Sequence, residues 1–452
     1  MAYEISNKQP KARKSTTRLI AFGFAMIILA GTLLLTLPFA NKSGHGNLFN
    51  SLFTATSATC VTGLVVADTY QNWTTFGQLV ILCMIQVGGL GFMTIGAYIS
   101  VILKKRIGLQ EREQLQESVN TLEIAGVVRL VKKIVQGALC IEFLGAVLLS
   151  FRFIPRFGVV KGIYYSLFHA VSAFCNGGFD LMGTEEAYSS LVAYEGDILV
   201  NLVIVALILV GGIGFIVWDD VARNKWHFKR YLLHSKIVLS VTFLLTVIGT
   251  VLFLLAENNA AFAGMSPLEK VLGALFSAVT PRTAGFNSVD TAALSNSGKL
   301  ITMVMMFIGG SPGSTAGGVK TTSVVVLLFY AGAMVLNKED INLFGRRLTD
   351  EVVKKANAVV IINATLTIVA TVIIMALQPL LNFEDVLFEV LSAIGTVGMT
   401  VGITRDLDII ARVILIVLMY CGRLGSLSFA LVFAQKNTSA PMRQPQEKII
   451  VG

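Results

Sequence analysis

Four copies of one short pattern constrain this 452-residue chain more than any other feature. In each copy a modest apolar stretch, too short to cross a bilayer, runs into a glycine-bearing loop, over residues 51–63, 166–178, 273–285 and 386–398. The closing glycines stand 115, 107 and 113 residues apart, so the copies fill the chain. Longer apolar runs flank them, such as 19–40 before the first and 76–103 after it, and about 20 apolar residues suffice to span. The repeating unit therefore reads span, half-span, loop, span. The expected fold is all-α integral membrane: four tandem units, with eight full spans and four re-entrant half-helices, around a pseudo-fourfold pore.

Composition agrees with this and excludes a large soluble domain: 54% of residues are hydrophobic, only 14% are charged, and the mean hydropathy is +0.74. A net charge of +9 would suggest a nucleic-acid partner in a soluble chain, but here its placement matters more. Of the 36 Lys and Arg, 25 lie at the N-terminus, in 104–133, 223–236 and 338–355, or after 435. Basic loops stay on the cytoplasmic side. Both termini are thus expected inside, the half-helices enter from outside, and no nucleic acid is implicated. Expected boundaries are a cytoplasmic segment 1–17, pore units 18–106, 107–226, 227–340 and 341–436, and a cytoplasmic tail 437–452. The five cysteines lack CxxC or metal-ligand spacing, which argues against a disulfide framework or a transition-metal site.

Four short helices running inward would aim their negative C-terminal ends at one axis, a favourable place for a desolvated cation. The loops behind them can replace the ion's water with carbonyl oxygens. The candidate ligands are the backbone carbonyls of Cys60, Val61, Thr62 and Gly63, of Asn176, Gly177 and Gly178, of Thr283, Ala284 and Gly285, and of Thr396, Val397 and Gly398. Thr396-Val397-Gly398 is close to the Thr-Val-Gly start of a potassium-channel filter, and no filter position is acidic. Those two features favour potassium over calcium or sodium.

A second small-residue motif follows each loop, opening at Gly88, Gly211, Gly309 and Gly422 and suited to close helix approach. In the third unit it expands into Gly309, Gly310, Ser311, Pro312, Gly313, Ser314, Thr315, Ala316, Gly317, Gly318, Val319 and Lys320, which no helix accommodates easily. At membrane depth its freed backbone must face protein or water. It is the expected gate, and the other three sites are expected to stay helical. The lysine does not follow the glycine as in a phosphate-binding loop, so no nucleotide site is expected there. Arg423, a basic residue inside a span, is costly unless paired or wet. Arg282, Glu389, Asp180 and Glu185 are expected to be mostly solvated near the outer mouth, and Glu142 to pair with a basic residue of a neighbouring helix.

With its four filter loops, the run 280–286 (Thr-Pro-Arg-Thr-Ala-Gly-Phe), the interrupted span 309–320 and the run 421–425 (Cys-Gly-Arg-Leu-Gly), the chain resembles the Trk/Ktr/HKT superfamily of potassium transporters. The specific likeness is to the KtrB-type membrane subunit of bacterial Ktr systems. The resemblance implies a homodimer in the bacterial plasma membrane that takes up K+ and is often activated by Na+. It also implies assembly on a cytosolic nucleotide-binding ring of the RCK type, KtrA-like, so that the nucleotide belongs to the partner and this chain has no cofactor. Arg423 then faces the loop 309–320 across the pore. The alternative is a secondary symporter coupling potassium to sodium or protons. An enzyme is not expected, because no catalytic constellation shares a common depth.

Overall fold

A computed structural model describes residues 16–433, except 106, 120–125, 185, 226 and 339, together with 445 and 447. Residues 1–15 of the cytoplasmic segment expected over 1–17, Glu185, and the tail expected over 437–452 apart from 445 and 447 thus lie outside the described residues.

Among the described residues the chain is nearly all helix, its strands being the two-residue pieces β1 (Asn342–Leu343) and β2 (Arg346–Arg347), paired as a hairpin. The first unit holds α1 (Thr16–Thr36), α2 (Leu48–Thr59), a single turn α3 (Thr69–Asn72), α4 (Thr75–Leu90) and α5 (Phe92–Ile102). After a connecting α6 (Leu109–Val119), the second holds α7 (Val127–Phe157), α8 (Val159–Phe174), α9 (Ile198–Gly212) and α10 (Phe215–Asn224). The third holds α11 (Leu233–Glu257), α12 (Pro267–Val279), α13 (Asn296–Phe307) and α14 (Thr321–Val335). The fourth holds α15 (Asp350–Leu377), α16 (Phe383–Gly395), α17 (Ile409–Leu424) and α18 (Ser426–Phe433). Helices α1, α7, α11 and α15 are each long and apolar enough to cross a bilayer alone.

Of the half-helices α2, α8, α12 and α16, α2 and α12 start on a side-chain cap. Asn47 Oδ1 accepts from the Phe49 and Asn50 amides at the start of α2. Ser266, Pro267 and Glu269 form a capping box on α12. Burial is distributed as a pore-forming membrane protein requires. Large apolar side chains such as Phe22, Phe143, Phe243 and Ile368 point outward, while Thr54, Thr56, Ser57, Thr59, Ser172 and Ser392 of the half-helices are buried.

One expectation fails. The second span breaks in every unit, not in the third alone. α4 and α5 meet at 92° across Gly91, and α9 and α10 at 96° across Gly214. Both glycines, and Gly425 between α17 and α18, have positive φ, which stops an α-helix and which other residues adopt only under strain. Gly-x-x-Gly thus combines two functions. Its first glycine gives room: a Cβ on Gly88, Gly211 or Gly422 would overlap the carbonyl of Thr59, Phe174 or Ile394, in the last two residues of a half-helix. Its last glycine turns the chain.

Candidate functional site

The four loops converge on a closed ring. A Cβ on Gly63 would lie 2.8 Å from Gly177 O, one on Gly178 2.7 Å from Ala284 O, and one on Gly285 2.6 Å from Val397 O. A Cβ on Gly398 would strike Thr62 O, which closes the circle. Each glycine thus leans on the carbonyl that precedes the next unit's glycine. Any side chain would wedge the ring open. All four glycines also line one funnel open to solvent, together with Asp68, Asp180, Thr400 and Arg405.

Backbone signs repeat with the same fourfold order. Val61, Asn176, Thr283 and Thr396 have φ of 55°, 60°, 76° and 52°, and the glycines two residues later have φ of 95°, 67°, 81° and 90°. In an extended strand successive carbonyls point to opposite sides; alternating the sign of φ brings them to one side. Three of the four leading residues are β-branched, for which this region costs of order 1–3 kcal/mol each. Strain repeated in four places is a property of the site. Sequence reasoning named these residues as candidate ligands but missed their left-handed conformation, because local propensity argues against it.

It also missed the serines that hold the loops. Ser57 Oγ accepts from the Gly63 amide at 3.0 Å, and Ser392 Oγ accepts from the Gly398 amide at 3.1 Å. In the third unit the Thr280 hydroxyl instead donates to Phe286 O at 2.6 Å. The signal was present, since Ser57, Ser172 and Ser392 each stand six residues before their glycine.

The loop 309–320 lies on the side of this ring away from the funnel, against Gly395 and Thr396. A Cβ on Gly317 would overlap the Thr396 side chain, and Gly318 packs on Gly395 O. Backbone bonds stitch the loop to the second unit: Ser311 N donates to Gly212 O at 3.1 Å, and Phe215 N to Gly313 O at 2.8 Å. The Phe215 donor is free because α10 starts there, after the break at Gly214. Thr315 Oγ1 donates to Phe174 O at 3.3 Å, which ties the loop to the end of α8. Lys320 Nζ donates to Ala316 O within the loop, at 2.7 Å.

Arg423 closes the other side. Its guanidinium donates to Thr315 O in the loop, to Gly88 O, and to Gly89 O at 3.0 Å. One side chain thereby joins the first, third and fourth units beneath the ring, and its charge is satisfied entirely by carbonyls.

Three expectations about charge need correction. Arg282 and Glu389 are 5% and 1% exposed instead of solvated. Arg282 reaches back from the loop after α12 to donate to Thr242 Oγ1 at 3.2 Å, while Glu389 accepts from Thr400 and Thr404. Glu142 has no basic partner among its bonds. It accepts two from Gln86 Nε2, at 2.9 and 3.1 Å, and lies beside Cys175 Sγ. Asp180 does face the funnel. Burial, with Asp68 nearby, pushes its carboxyl up to about 7.

The sequence matches the family described as TrkH, cation transport protein, over residues 2–443. The chain belongs to this family. Within it, the chain is 42% identical to a potassium/sodium uptake protein of Enterococcus hirae, over 99% of this chain and all of that one. It is 39% identical to the Ktr system potassium uptake protein B of Bacillus subtilis, over 97% of each. The crystal structure of the potassium transporter TrkH from Vibrio parahaemolyticus shares the fold, with a TM-score of 0.72 and 18% identity, over 94% of this chain and 86% of that one. TrkH-family membership makes the chain a membrane cation transport protein, not an enzyme.

Proposed function

We propose that this protein carries potassium into a bacterial cell, single file, through the ring formed by Gly63, Gly178, Gly285 and Gly398. The observation that carries this reading is the fourfold alternation of φ, which turns a stack of carbonyls toward one axis at the convergence of four helix C-termini. The potassium uptake named for the two bacterial relatives agrees with it. The filter ligands are the carbonyls of the four loops, and the loop 309–320 with Arg423 is the gate.

The relatives named as Ktr components support a multi-subunit system. This chain would then form the homodimeric membrane part, with both termini cytoplasmic, on a nucleotide-binding RCK-type ring. The basic connections 104–133 and 338–355 supply its docking face, and sodium acts as an activator.

Rubidium-86 uptake into proteoliposomes tests the proposal. A potential of 100 mV supplies about 2.3 kcal/mol per charge, enough for roughly 50-fold accumulation. Uptake driven by voltage and the potassium gradient alone is expected. Strict dependence on an opposing sodium or proton gradient would replace the pore with a symporter.

A further inference from the structure

The fourth pore helix carries a carboxylate that the transport path does not use. Glu389 is 1% exposed, on α16, nine residues before Gly398. A buried carboxylate is costly unless its oxygens are hydrogen-bonded. Both are. One oxygen accepts from the Thr400 hydroxyl and the other from the Thr404 hydroxyl at 2.8 Å, with the Val401 amide also facing the group. The two hydroxyls lie 3.0 Å apart, and Thr400 Oγ1 accepts from the Gly402 amide at 2.8 Å. Thr400 comes two residues after the ring glycine and lines the funnel with it.

The second unit repeats the arrangement with different chemistry. His169 also stands nine residues before its glycine, Gly178. Its Nε2 accepts from the Leu181 amide at 3.4 Å, and Nδ1 lies 2.7 Å from Tyr165 O, which makes Nδ1 the donor of a neutral ring. In both units a buried polar side chain of the pore helix holds the segment that leaves the filter. In the first unit the equivalent Thr54 hydroxyl has no such bond.

We infer that Glu389 is a positioning residue that sets potassium-over-sodium discrimination by fixing the outer end of the fourth filter loop through Thr400 and Thr404. The inference rests on the filter reading above. A carbonyl ring distinguishes two cations of equal charge by how firmly its oxygens keep their spacing or number. Positive φ at both Gly398 (90°) and Gly402 (106°) leaves that loop to be held from behind, and the Glu389 carboxylate supplies the hold. Lys299 does not compete for this carboxylate, being paired with Asp385 at 2.9 Å.

The test measures rubidium-86 and sodium-22 uptake by the full chain in proteoliposomes, per mole of incorporated protein. Variants are Glu389→Val, Thr400→Val, the double variant, and Gly398→Ala as a control on the filter itself. Each single change is expected to lower the rubidium-to-sodium ratio about tenfold, equivalent to about 1.4 kcal/mol of discrimination. The double variant should lose no more than Glu389→Val alone, because the bond that Thr400→Val removes is one of the two that Glu389→Val already removes. A folding defect would lower both fluxes together and leave the ratio alone. If Gly398→Ala collapses the ratio while Glu389→Val and Thr400→Val leave it unchanged, the inference is overturned and the filter stands. If Gly398→Ala also leaves it unchanged, the filter reading falls and the inference with it.

Discussion

Replacing Arg423 by alanine should open the pathway. The guanidinium makes three bonds to carbonyls, but only the bond to Thr315 O ties it to the loop 309–320; those to Gly88 O and Gly89 O anchor it to the first unit. A hydrogen bond from a charged donor contributes about 1.5–3 kcal/mol. Losing that one loop contact therefore shifts the ratio of open to closed loop by roughly 10- to 150-fold. The observed gain is capped once the loop is mostly open. The alanine also removes a positive charge that a permeating cation must pass, which acts in the same direction. Rubidium-86 flux per incorporated protein, measured without any regulatory partner, reports the change, and Arg423→Lys serves as comparison because a lysine keeps the charge but not the forked geometry. Lysine should give an intermediate flux. Unchanged or lower flux from a monodisperse, normally incorporated alanine variant would refute the clamp.

Three further outcomes are expected. Deleting residues 311–317 should raise rubidium flux in protein that still elutes as a single folded species; unaltered flux would place the gate elsewhere. Gly285→Ala forces a Cβ to within 2.6 Å of Val397 O at a φ of 81°, so sodium-22 uptake should rise relative to rubidium-86, and an unaltered ratio would count against the ring. Asp180, with its carboxyl raised to about 7, is protonated below that pH and charged above it, so the half-saturating rubidium concentration should fall as external pH rises from 6 to 8. Asp180→Asn should abolish that slope, and a slope that survives would assign it to another group.

The half-helices and the ring glycines were legible because four short segments ending in register leave few alternatives. The left-handed conformation at Val61, Thr283 and Thr396 was not. β-Branched residues resist it locally, and only the packing of four loops imposes it. The right angles at Gly91 and Gly214 were hidden because Gly-Gly-x-Gly reads as close packing alone. Glu389 and Arg282 were misplaced since polarity suggests solvent, whereas their partners Thr404 and Thr242 sit 15 and 40 residues away. The Arg423 contact to Gly89 spans 334 residues, a distance at which no local pattern speaks.

The ring is closed by one polypeptide, with a different residue triplet in each quarter. In a pore built from four identical chains, one codon change alters all four quarters together, and the smallest step available is a fourfold one. Here a substitution at Val61, Asn176 or Thr283 changes the sequence of one quarter alone, whereas each glycine packs on a carbonyl of the next quarter and is shared by the whole ring. On the proposed reading, ion preference can drift in quarter steps at those non-glycine positions, while the four glycines hold the ring closed.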